Sequence, residues 1–239
     1  MAEIITQGFI INILDYQVFD QIVVVLLNNG QKHSLLSLGS RKINSKNARH
    51  LLVGNYNDIE FFGSRINDKM GRLKKTITIQ AVPWEIYDYK SFWLLNEYIN
   101  SIDKTNKNLF NFYKETIEII KKNKYKDLAI VIYILVFIVK NNGLLMNLCK
   151  CAICESKNIY GIETINYSWI CKKDYLLNNN NNNFVFTNKK IVGILIKLFS
   201  NQKIDSNLSK YDVLTTIKIL VDAIYKIVGI SFKTLSSIN

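Results

Sequence analysis

The sequence predicts a multi-domain α+β protein, and three features predict it. Residues 3 to about 80 are rich in β-branched and apolar side chains punctuated by turn signals. Pro83, the single proline in 239 residues, stands where that pattern stops. Beyond it, apolar residues recur at helical spacing. The expected domains are a β domain over 1–80 and a helical bundle over 81–239, the latter carrying a cysteine-bearing, zinc-knuckle-like insert at about 143–183.

The β region divides into five strands. "IITQGFIINIL" and "QIVVVLL" are the first two, and Asn28-Asn29-Gly30 is a strong hairpin signal before the third, "QKHSLLSLG". "DIEFF" and "LKKTITIQAV" supply the fourth and fifth. "SKNARHLL" is the one helical interruption, between strands three and four. Five strands with an insertion at that point is the order of a small oligonucleotide-binding (OB) barrel. A generic five-stranded barrel or half-sandwich has the same strand count and stays open at this stage.

After Pro83 the period becomes helical. Phe92, Leu95, Ile99 and Ile102 share one face, as do Leu109, Phe112, Tyr113, Thr116, Ile117 and Ile120. "LAIVIYILVFIV" (128–139) is apolar all round, the mark of a helix at the centre of a bundle. A helix over about 188–199 follows Thr187 as N-cap. The last long helix begins near Ser209, with Asp212 completing an imperfect capping box, and stops at Gly229. Its expected apolar face is Val213, Leu214, Ile217, Leu220, Val221 and Ile224. The insert reads as loop, ending in six asparagines that cannot pack a core.

Hydrophobic residues make up 49% of the chain, which supports a sizeable core and excludes global disorder. The 31 basic against 19 acidic side chains leave a net charge of +12. That excess favours polyanionic partners, nucleic acid before acidic membrane, although a genome rich in Lys, Asn and Ile codons produces the same excess. "MAEIITQGF" lacks the features of an export leader, so a cytoplasmic, nucleoid-associated protein is expected. The 12 residues of the longest apolar run fall short of the roughly 20 a spanning helix needs, so no membrane association is expected.

Four cysteines without an export signal point to thiols or a metal site rather than disulfides. Cys151-x2-Cys154 is followed, after sixteen intervening residues, by Cys171, and then at x2 by Asp174. The spacing fits a four-ligand zinc knuckle with aspartate in the last place, and Cys149 is the alternative fourth ligand. Four protein ligands leave no position for water, so one structural zinc is expected and no hydrolytic role. Buried or reduced thiols are the other reading.

Catalytic motifs are lacking. His33 and His50, the two histidines, sit among apolar or basic neighbours, and no nucleophile elbow, zinc-protease motif or phosphate loop occurs. No catalytic residue is assigned and no enzyme is expected. The basic residues are the better lead. Between 39 and 80, nine Lys/Arg stand against three acids. Arg41, Lys42, Lys46 and Arg49 leave the third strand, and Arg72, Lys74 and Lys75 lead into the fifth. In an OB barrel both segments can lie along one groove and neutralise phosphates with little regard to sequence. Ser40 and Ser45 are candidate hydroxyl donors to phosphate. Tyr56, Phe61 and Phe62 are candidate stacking rings, with at least one of the two phenylalanines expected in the core. A solvated rim on a protein-binding barrel is the competing reading, and an adaptor is the corresponding alternative function.

Taken in order, "GFII" near the start, "LGSRKINSK" after the third strand, a helical region, and "GLLMNLCKCAIC" followed by Cys171 resemble the RecO family of bacterial repair and recombination mediators. That family carries G-(A/S)-R-(K/R)-x-x-S-(K/R) after an OB barrel and G-L-L-P-x-L-x-x-C-x-x-C at the entry to a zinc region. The resemblance spans nearly the whole chain. It departs at Met146, where the family has proline, and at Asp174, where metal-binding members have cysteine. The resemblance implies a protein that binds single- and double-stranded DNA, anneals complementary strands, and acts with RecR to load RecA onto DNA coated by single-strand-binding protein. Carried over by motif, Arg41, Lys42 and Lys46 are the implied DNA contacts, with Arg49 beside them; Arg72, Lys74 and Lys75 rest on charge alone.

Overall fold

The structure, a computed structural model, describes residues 3–64, 70–122, 126–143, 150–177, 185–200 and 208–236. Two compact units divide the chain, Met1–Tyr125 and Lys126–Asn239.

In the first unit, five strands close a barrel: β1 (Glu3–Tyr16), β2 (Asp20–Leu27), β3 (Lys32–Ser37), β4 (Tyr56–Phe62) and β5 (Gly71–Gln80), in the order β1-β2-β3-β5-β4. That is the OB topology, and it resolves the alternatives that strand counting left open. β1 has 14 residues and serves two partners. Its first half pairs with β4 and its second with β2, with a register shift between Ile10 and Asn12 where it bends. Gly8 stands at the handover, paired to both Leu27 and Asn57. A Cβ there would lie 2.6 Å from the Leu26 carbonyl oxygen, so only glycine lets the strands pass this closely. The inward residues Ile10, Val23, Val25, Leu27, Leu35, Leu51, Ile59, Phe61 and Leu73 form one buried core, as the strand alternation requires.

The Asn28-Asn29-Gly30 hairpin forms as expected, with Gly30 at φ +91°. It packs against the start of α2 (Lys107–Lys121), where a Cβ on Gly30 would lie 2.2 Å from the Asn106 carbonyl carbon. Lys32 donates to the carbonyls of Ile99, Asn100 and Ile102, capping the C-terminal end of α1 (Lys90–Ser101) with positive charge. A buried Tyr113 hydroxyl donates to Asn96 Oδ1 at 2.8 Å and joins the two helices. The barrel strands end at Gln80, and α1 and α2 fall in the same compact unit as the barrel.

The second unit holds α3 (Asp127–Asn141), a small sheet, and three more helices. α3 is buried along most of its length and packs against α6 (Lys210–Val228). The capping box at Ser209 and Asp212 forms completely, and Gly229 ends α6 in the left-handed conformation at φ +77°. On α6, Ile217, Leu220 and Ile224 are buried as expected, whereas Val213, Leu214 and Val221 are half-buried; Ala223 and Thr216 complete the face. α5 (Lys189–Phe199) is capped by Asn188, not Thr187: the Asn188 side chain accepts from the Lys190 and Ile191 amides.

The insert is more structured than its loop-like composition predicts. β6 (Ile159–Glu163), β7 (Ser168–Cys171) and β8 (Val185–Phe186) form a sheet in the order β7-β6-β8, and α4 (Lys172–Leu177) follows β7 directly. Strands of two to five residues are too short for periodicity to reveal. The asparagine run, Met146 and Cys149 lie outside the described residues. No helix among the described residues is long and apolar enough to cross a membrane.

Candidate nucleic-acid interface and metal centre

The basic segment after β3 is held at both ends. At its start, the Gly39 amide donates to Asp20 Oδ1 at 2.7 Å and the Arg41 amide to the Phe19 carbonyl at 2.9 Å, docking it on the β1–β2 turn. At its end, a 3₁₀ turn (Ala48–His50) lies beside β5. β3 and β5 pair only at Leu35–Leu36 with Gly71–Arg72, so beyond Arg72 the backbone of β5 has no strand partner on that side. Side chains close the gap. Asn47 Nδ2 donates to the Lys74 carbonyl at 3.4 Å, Asn47 Oδ1 accepts from the Thr76 amide at 3.1 Å, and His50 Nδ1 accepts from the Thr78 amide at 3.1 Å. Asn57 Nδ2 holds the His50 carbonyl at 2.8 Å. His50 is therefore structural, in keeping with the sequence reading. Sequence periodicity carries no signal for Asn47, whose contacts lie 27 and 29 residues away.

This clamp brings the two predicted basic segments alongside each other. Arg41, Lys42, Lys46 and Arg49 are all exposed, as are Arg72, Lys74 and Lys75 on β5. They are not equally free. Arg41 Nη1 lies 3.5 Å from Asp15 Oδ2. Lys74 Nζ lies 2.6 Å from Glu3 and 3.6 Å from Glu60, and Lys75 Nζ lies 3.9 Å from Glu60. The hydrogen bond that Lys74 donates to Glu3 raises the Lys74 pKa, so its ammonium is firmly charged and already partnered. Lys42 Nζ sits 5.4 Å over the Phe19 ring. Arg49 Nε approaches His50 Nε2 at 3.1 Å, but a neutral imidazole has only one lone pair to offer. Two N–H groups point at it, and the Thr78 amide cannot turn away, whereas the exposed guanidinium can. Desolvation, with the Arg49 charge second, lowers the His50 pKa and keeps the ring neutral for this acceptor role.

Two further expectations change. Ser40 is buried, and its hydroxyl donates to the Ser37 carbonyl at 3.1 Å, so it is spent on the turn rather than offered to phosphate. Ser45 Oγ accepts from the Ala48 amide at 3.3 Å. Of the proposed stacking rings, Phe61 belongs to the barrel core and Tyr56 packs 4.8 Å from Phe9; Phe62 is half-buried.

In the insert, Cys151, Cys154, Cys171 and Asp174 bring one ligand atom each to within 4.8 Å of one another. The Cys151–Glu155 turn, closed by the Glu155 amide on the Cys151 carbonyl at 2.9 Å, presents the first two sulfurs. The end of β7 and the first turn of α4 present Cys171 and Asp174, and the Asp174 amide donates to Cys171 Sγ at 3.4 Å. Cys154 and Cys171 sulfurs are 3.6 Å apart, and Asp174 Oδ2 lies 3.0 Å from Cys151 Sγ and 3.2 Å from Cys171 Sγ. Tetrahedral zinc with Zn–S of about 2.3 Å and Zn–O of about 2.0 Å sets such edges at roughly 3.5–3.8 Å. The sulfur–sulfur edge matches and the two sulfur–oxygen edges are shorter, so the donor types suit this metal and the carboxylate would move outward to admit it. Without the ion, the Asp174 carboxylate accepts from the thiols. That depresses its own pKa and pushes the Cys154 thiol up to about 12. Zinc would reverse the thiol shift by replacing the protons.

No family model matches the chain. It is similar to the DNA repair protein RecO of Mycoplasma mycoides subsp. mycoides SC, 28% identical over 212 residues, or 82% of this chain and 84% of that one. The DNA repair protein RecO of Mycoplasma capricolum subsp. capricolum is 26% identical over 83% of this chain and 85% of its own. That of Mesoplasma florum is 27% identical over 72% and 67%.

Proposed function

We propose that the chain is a RecO-type protein, by its similarity to those three relatives, and acts as a DNA-binding, strand-annealing mediator of recombinational repair. One observation carries the proposal: an exposed cationic segment lies against the fifth strand of an OB barrel, held by Asn47 and His50. Arg41, Lys42, Lys46 and Arg49 contact phosphates, with Arg72, Lys74 and Lys75 extending the track. Bound along it, two strands lose much of their mutual repulsion and can pair. Exposed ion pairs such as Arg41–Asp15 contribute little stability, so phosphate displaces the carboxylate readily.

The protein binds single- and double-stranded DNA and works with RecR to load RecA onto DNA covered by single-strand-binding protein. It does so without making or breaking bonds. Cys151, Cys154, Cys171 and Asp174 hold one zinc, which fixes the turn and the β7–α4 junction in place. Its test is DNA titration at several salt concentrations, comparing the wild type with Arg41→Ala/Lys42→Ala/Lys46→Ala. The competing reading, a protein adaptor, draws on the pairing of Lys74 and Lys75 with acids. It predicts protein that ignores DNA at moderate salt.

A further inference from the structure

We infer that Trp84, Tyr87 and Trp93 form a platform on which unpaired bases of single-stranded DNA stack. The inference rests on the DNA-binding reading above and adds to it a site for the bases rather than the phosphates.

The rings sit at the exit of the barrel. Pro83 leads into a 3₁₀ turn (Trp84–Asp88), anchored by the buried Ile86 and closed by the Ile86 amide on the Pro83 carbonyl at 3.1 Å. Trp84 is 75% exposed and Trp93, on the first turn of α1, is 39% exposed; the third tryptophan, Trp169, is buried. Trp84 and Trp93 each lie 5.8 Å, centroid to centroid, from the Tyr87 ring between them. Trp93 Nε1 donates to the Tyr87 carbonyl at 2.8 Å, which fixes the indole before any ligand arrives. Rings held this way present stacking surface at little entropic cost. A large exposed aromatic surface is unfavourable in water, so it calls for an occupant.

Position identifies that occupant. The Tyr87 hydroxyl donates to the Val53 carbonyl at 2.9 Å, and Gly54 packs so closely on Phe92 that a Cβ would meet its ring at 2.8 Å. The platform is thereby tied to the continuation of the basic segment. Val53 follows Arg49 by four residues, a reach of at most roughly 14 Å. A strand whose phosphates follow Lys46 and Arg49 therefore passes within reach of the rings. Glu85 and Asp88, exposed in the same turn, repel phosphate from this face. Charge thus places the backbone on the basic segment and turns the bases toward the indoles. Paired bases in a duplex cannot make that contact, so the platform distinguishes single strands from double ones.

The test uses the full-length protein and a fluorescein-labelled oligo(dT), reading anisotropy for binding and intrinsic tryptophan fluorescence for stacking. The expected result is quenching that saturates with binding and is reduced in Trp84→Ala, where Trp93 alone still reports stacking. That variant binds oligo(dT) about tenfold more weakly, in the range of one lost stack, while its duplex affinity and salt dependence stay unchanged. Trp84→Phe restores most of the affinity, separating stacking from folding. Oligo(dT) that binds without quenching, or equal losses on single strands and duplex, overturns the platform and leaves DNA binding in place. Failure to bind any DNA at low salt overturns the reading beneath it, and the platform with it.

Discussion

Replacing Asn47 by alanine removes one side chain and unpairs two backbone groups of β5 at once. Its amide serves the Thr76 N–H at 3.1 Å and the Lys74 carbonyl at 3.4 Å, on an edge where β3 no longer reaches. The longer contact adds little. The partly buried Thr76 N–H loses its acceptor, and leaving such a group unpaired costs about 1–3 kcal/mol. With partial rescue by water, a local destabilisation of about 1–2 kcal/mol is expected, which speeds opening about 5- to 30-fold. Native-state hydrogen exchange reads this directly. The Thr76 amide exchanges faster in Asn47→Ala, while the Thr78 amide, still held by His50, changes less. The basic segment loosens with it, so DNA affinity falls. All the cations remain, so the salt dependence of binding keeps its slope. A Thr76 amide that exchanges at the wild-type rate would show that Asn47 does not close the barrel and that the two basic segments are not held together.

Two further predictions concern the second unit. The purified protein carries one zinc per chain by elemental analysis; Cys171→Ser removes it and lowers the melting temperature, and wild-type protein that melts identically with and without a chelator contradicts a structural metal. Asp212 is held below the usual carboxylate range, first by Lys190 at 2.5 Å and then by the Ser209 hydrogen bonds of the capping box. A depressed folded pKa stabilises above the unfolded value of about 4 and is lost as pH falls through the folded value. Asp212→Asn therefore weakens the protein near neutrality and flattens its stability profile below pH of about 4; a wild-type profile of the same shape as the variant's would dissociate Asp212 from acid sensitivity.

The barrel was legible because its physics is local and periodic. Alternation marked the strands, Asn28-Asn29-Gly30 set the hairpin, and Pro83 ended the β region. What closes the barrel was not legible. Asn47 and His50 bond to backbone 27 to 29 residues away, and side chain-to-backbone bonds of that kind leave no pattern in the sequence. The same holds for charge. Nine cations against three acids were countable, yet Lys74 finds Glu3 from 71 residues away, so a local count overstated the free positive charge on β5. Ser40 illustrates the converse: a turn that needs a side-chain bond to Ser37 withdraws it from solvent. The clustering of Cys151, Cys154, Cys171 and Asp174 was readable from spacing alone, because two paired-residue segments aimed at one point bring their side chains together. The strands flanking them, two to five residues long, were too short to announce themselves.

The most direct test of the account is the slope of log affinity against log salt for single-stranded DNA, wild type against the Arg41→Ala/Lys42→Ala/Lys46→Ala variant. Three lost phosphate contacts flatten that slope by roughly 2. A variant that binds with the wild-type slope would mean that this surface does not hold DNA.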